Sequence, residues 1–172
     1  GQPNSVTETA PDETAAQLLR AFPTGENTVQ LIFDESVDRA AAADFSNYNL
    51  GGLTLRDAFA EPPLFTSVQL VFDAQFETSV LYELDIDENL ADCIGNVADT
   101  VRTASFALPE LPEPGDVLIN EVLFNPDSGG SDFVEIYNRS EKILNAGDLI
   151  LANRDDNQRF DQVRPVAEDF LL

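Results

Sequence analysis

The chain has 172 residues, with 32 acidic against 9 basic, no histidine and one cysteine, Cys93. Without histidine neither a Ser-His-Asp nor a Cys-His pair can be assembled, and no zinc site of Cys and His ligands; one cysteine allows no intrachain disulfide. The net charge of -23 is spread along the whole chain and argues against nucleic acid, whose phosphates need clustered Lys and Arg, and against anionic membrane surfaces.

Hydrophobic residues make up 43%, enough for a packed core and too many for a disordered tail. No apolar run is long enough to span a membrane as a helix. With no disulfide, the core must stand on packing, and Cys93 reads as a small apolar residue near a strand end. The acidic surface reads first as a solvated one, and it also suits calcium or a saline environment.

Residues 1–14 are polar, with Pro3 and Pro11, and read as a lead-in linker. Short alternating segments separated by turn signals follow. The expected strands are Gln17–Phe22, Thr28–Phe33, Tyr48–Leu50, Thr54–Phe59, Ser67–Phe72 and Val80–Ile86, with a last set at Ala104, Phe106 and Leu108. Ala40–Phe45 has room for one helical turn only. Gly51-Gly52 marks a tight turn or bulge, and Pro62-Pro63 breaks the chain again. Val29-Gln30-Leu31-Ile32-Phe33-Asp34 and Val68-Gln69-Leu70-Val71-Phe72-Asp73 share one template. That echo is explained by two strands facing one core in the same way. About seven strands in residues 15–108, with no helical period, is the signature of a β-sandwich.

Residues 109–115 carry three prolines and two acids and read as a stiff, extended connector. Beyond it, Val117–Phe124, Phe133–Asn138 and Asp148–Ala152 read as strands. Asn125–Asp132 is a loop, residues 153–159 are polar, and the apolar triplet Phe170-Leu171-Leu172 should begin or join something. Residues 116–172 are too few for a whole sandwich, which takes about 100, so this half is expected to be a partial domain.

Two resemblances rest on these residues. Val29–Val37 and the later Leu90-Ala91-Asp92-Cys93-Ile94-Gly95-Asn96 resemble the opening strand and the late turn of a bacterial Ig-like domain of the S-layer and surface-protein type. Val117–Val122, Asp132–Asn138 and Asn145–Leu151 resemble, in order, three motifs from the start of a lamin tail domain. The resemblances imply an all-β chain: an immunoglobulin-like β-sandwich followed by a partial second Ig-like, lamin-tail-like β-domain. They also imply a non-catalytic structural or adhesive module of a large secreted or cell-surface bacterial protein. Its partners would be neighbouring domains of a longer chain and a protein or glycan. The alternatives are a ligand- or protein-binding module, or accessory domains of an exported enzyme whose catalytic domain lies elsewhere.

The candidates for chemistry are few. Asp85, Asp87, Asn89 and Asp92 place oxygen side chains near the spacing of a calcium loop, but Leu90 stands where an EF-hand needs glycine. A strand end running into a turn explains the same residues. Neighbouring strands have room to bring Glu121 and Glu135 together as paired carboxylates for glycoside chemistry, but no tryptophan sugar platform is present, and structural hydrogen bonding explains the same residues first. Asn120 and Glu121, being adjacent, are expected on opposite faces, one of them inward and bonded to the backbone of the next loop. Asn138-Arg139-Ser140 fits the N-glycosylation pattern. The C-terminal triplet raises strand addition from a partner chain as a further expectation.

Overall fold

A computed structural model describes residues 12–98, 100–125, 129–167 and 170–172. The chain is all-β, built from antiparallel sheets, and divides into two compact units. The first comprises the described residues up to Gln75 together with Tyr82–Ser105; the second comprises Phe76–Leu81 and the described residues from Phe106 on.

The first seven strands are β1 (Leu18–Gly25), β2 (Thr28–Phe33), β3 (Tyr48–Asn49), β4 (Leu55–Ala60), β5 (Ser67–Phe72), β6 (Leu81–Ile86) and β7 (Arg102–Ala107). They form a four-stranded sheet in the order β1-β2-β5-β4 and a three-stranded sheet in the order β3-β6-β7. The two echoed segments are direct neighbours, with Val29 opposite Leu70, Gln30 opposite Gln69 and Leu31 opposite Val68. A period of two sends Val29, Leu31, Phe33, Val68, Leu70 and Phe72 to one face, and all six are at most 2% exposed. Leu84, Ile86 and Tyr48 are buried on the smaller sheet. The Arg102 guanidinium of β7 lies 5.8 Å from the Phe33 ring of β2, so the two inner faces meet as in a sandwich.

Turn chemistry closes the connections. Asp38 caps the four-residue helix α1 (Arg39–Ala42) by accepting from the amides of Ala40 and Ala41. Gly51 and Gly52 both take positive φ (37° and 96°) in the turn closed by the Leu53 amide on the Leu50 carbonyl. That backbone suits residues without a Cβ.

In the second unit, among the described residues, β8 (Val117–Leu123) pairs only with β9 (Phe133–Asn138), and β10 (Ile150–Arg154) only with β11 (Phe160–Pro165). The strand β11 follows the polar stretch 153–159, in a segment to which the sequence reading assigns no strand. Its turn is held by Asp155, whose Oδ1 accepts from the amides of Asn157 and Arg159. The proline-rich run is itself paired: Glu110 bridges Leu144, and its amide donates to the Ile143 carbonyl. The C-terminal triplet pairs within the chain as well. Leu172 and Leu144 exchange backbone hydrogen bonds, and Ala146 donates to the Phe170 carbonyl. Leu144 and Ala146 are buried, and Phe76 packs edge-on against Phe106 at 5.1 Å. The four strands of this unit, by contrast, are exposed along most of their length.

Candidate functional site

The polar groups inside the first unit hold backbone. Asp92 is 1% exposed. Its Oδ1 accepts from the amides of Ile94, Gly95 and Asn96 (2.9, 2.7 and 2.9 Å), and its Oδ2 accepts from Asn96 Nδ2 (2.8 Å). Asn96 Nδ2 also reaches the carbonyls of Asp12 and Thr14. Burial pushes the Asp92 carboxyl up, but its four donors, led by Asn96, outweigh it and hold the pKa below the ordinary value.

This loop brings three carboxylates together. One ligand oxygen each from Asp12, Glu35 and Asp92 lies within 4.8 Å of the others. Burial first, then the neighbouring Asp12, raises the Glu35 pKa. Asp12 is lowered, chiefly by the Thr14 amide. Oxygen donors at this spacing are what a hard divalent cation takes, but the Asp92 oxygens already accept four hydrogen bonds. The cluster escapes the sequence because its members come from three separated segments; only the Asp92-to-Asn96 turn has a local signature.

The sequence-derived calcium candidates lie apart from this arrangement, except for Asp92. Asp85 Oδ1 accepts from Thr103 Oγ1 (2.9 Å), and Asp87 Oδ1 accepts from the amide of Asn89 (2.9 Å) and from its side chain. Leu90 is fully buried and its amide closes a turn on the Asp87 carbonyl. Cys93, read from the sequence as a small apolar residue near a strand end, is exposed just after the Val37–Asp92 bridge.

Arg102 is the other structural anchor. Nη1 donates to the Ala16 carbonyl (2.7 Å), and Nη2 to those of Asp87 (3.2 Å) and Leu90 (3.1 Å). Burial lowers its pKa. The Tyr48 hydroxyl nearby donates to the Ala42 carbonyl (3.0 Å), and burial raises its pKa.

In the second unit a bulge falls between Ile119 and Glu121, which places Glu121 directly opposite Glu135. Neither Asn120 nor Glu121 is buried, contrary to expectation. The bulge releases Asn120 from the strict alternation, and its side chain donates to Glu135 Oε1 rather than to loop backbone. The sequon asparagine is committed too: Asn138 Nδ2 donates to the carbonyls of Lys142 (2.8 Å) and Leu172 (3.1 Å), and Oδ1 accepts from Ser140. Lys142 pairs with Asp116 at 2.9 Å and Glu113 at 3.3 Å. A groove of about 390 Å³ runs along the strands, lined by Val122, Val134, Ile136, Leu151, Arg164 and Val166 among others. Among the described residues no helix is long and apolar enough to cross a membrane.

No protein-family profile and no curated protein matches the chain. Solved structures do. The chain is similar to the S-layer protein rSbsC(31-844) at 14% identity and TM-score 0.50, over 86% of this chain and 22% of that one. It is equally similar to the N-terminal part of the bacterial S-layer protein SbsC, over 86% of this chain and 37% of that one. The chain therefore spans well under half of the structures it resembles, and the likeness is one of fold.

Proposed function

We propose that this chain is a non-catalytic structural module of a larger bacterial cell-surface protein, with residues 15–108 a bacterial Ig-like sandwich and 116–172 a partial lamin-tail-like domain. The observation that carries the reading is the alignment over 86% of the chain with a surface-layer protein. The chemistry of the interior supports it: Asp92 and Arg102 direct their hydrogen bonds to backbone groups of the scaffold. Such groups stiffen loops instead of meeting a substrate. The uniform negative charge keeps such a module soluble and apart from its own copies.

An antibody raised against this chain, applied to intact and to permeabilised cells of the source organism, tests the location. Labelling of intact cells is expected, and labelling only after permeabilisation would reject the proposal. A second reading, a ligand-binding module, is favoured by the apolar groove of the second unit.

A further inference from the structure

The regular face of β9 carries Phe133, Glu135 and Tyr137, and the register sets them opposite Leu123, Glu121 and Leu118. A pair of carboxylates thus sits between two apolar cross-strand pairs. Phe133 is 44% exposed, Tyr137 56%, Leu118 41% and Leu123 36%. Like charges directly opposite each other are unfavourable in a sheet. Among the described residues no Lys or Arg nitrogen is paired with Glu121 or Glu135. Asn120 gives Glu135 one neutral donor and brings no charge.

The outer edge of β9 is also open. Its sheet has two strands, and the Phe133–Tyr137 backbone has no partner beyond the β8 ladder among the described residues. The edge of β8 is broken by the bulge at Asn120, whereas β9 is regular. An added strand shares the period of two, so its alternate side chains would flank Phe133, Glu135 and Tyr137 in turn.

We infer that the β9 edge is a docking site for an extended segment of another polypeptide carrying an apolar residue, Lys or Arg, and an apolar residue at alternate positions. The cation completes the Glu121–Glu135 pair, and the flanking apolar side chains cover Phe133 and Tyr137. Charge complementarity selects this occupant over a second copy, because each copy carries a net charge of -23. The inference is independent of where the protein resides.

The test is titration of the isotope-labelled full chain, followed by amide NMR, with the peptide Thr-Val-Thr-Lys-Thr-Val-Thr and with its counterpart carrying Glu in place of Lys. The expected result is a set of shifts confined to β8 and β9 for the Lys peptide. Affinity should fall about tenfold or more for the Glu peptide and for the E121Q/E135Q double variant, and it should weaken with added salt. No shifts, shifts elsewhere, or equal response to both peptides would overturn the inference. So would a concentration-dependent dimer in sedimentation whose formation shifts the β9 amides. Should the double variant fail to fold, the comparison of the two peptides decides alone.

Discussion

Gln30 and Gln69 face each other across the β2–β5 ladder and both donate to one carboxylate, that of Glu61. Ser67 Oγ adds a third donor at 2.7 Å. The Gln of each echoed segment therefore secures the outer face, while its apolar neighbours fill the core. The Ser67 hydroxyl first, with the two glutamines behind it, draws the Glu61 pKa down against the effect of burial. A depressed carboxyl stabilises the fold above the unfolded pKa of about 4.3 and loses that contribution as pH falls through the lower folded value. Glu61→Ala should cost about 1 kcal/mol at pH 7 and less at pH 3, measured by urea denaturation at both pH values.

Asp92→Ala should cost on the order of 3 kcal/mol, because it strands three loop amides and the Asn96 side chain together. Asp92→Asn keeps one acceptor oxygen and should cost less. Its loss should be largest near neutral pH and fade as pH falls below the unfolded pKa of about 3.9 and through the lower folded value. Thermal unfolding of both variants across that range checks the order and the slope.

Glu35→Gln should stabilise the protein at pH 7. The folded-state pKa of Glu35 is raised by burial and by Asp12, so its carboxylate form works against folding above that value. Below the unfolded pKa of about 4.3 the group is neutral in both states and the advantage disappears. Denaturant midpoints of wild type and variant should therefore differ at pH 7 and converge near pH 3.

Leu144→Ala should cost about 3 kcal/mol. Leu144 is fully buried in a unit whose strands are otherwise exposed, and its backbone bridges both Glu110 and Leu172. The signature is faster hydrogen exchange at the amides of Glu110, Ala146 and Leu172, with the β2–β5 ladder unchanged.

Gly52→Ala should cost about 1 kcal/mol although a Cβ there would meet nothing within 4 Å. The whole effect comes from the backbone, at φ 96°. A substitution to Asn, which tolerates that region better, should cost less than Ala in the same thermal melt.

The β2–β5 pairing is legible in the sequence because each strand buries one face, and a period of two writes that directly into the residues. The strand β11 is not: Phe160 and Val163 are three apart, and both are exposed, so no alternation marks them. The carboxylate cluster is hidden for another reason. Asp12, Glu35 and Asp92 meet through tertiary folding, and no local spacing records it. Cys93 follows the Val37–Asp92 bridge and lies exposed in the turn organised by Asp92.

Arg102 sits at the start of β7 and reaches back to Ala16, just before β1. Traction on the polypeptide would enter the first unit near one of these residues and leave it near the other. The guanidinium joins the two points across the interior, and its further grips on Asp87 and Leu90 spread the strain over a third segment. The joint makes the first unit resist being unzipped from its ends, a mechanical property distinct from its equilibrium stability.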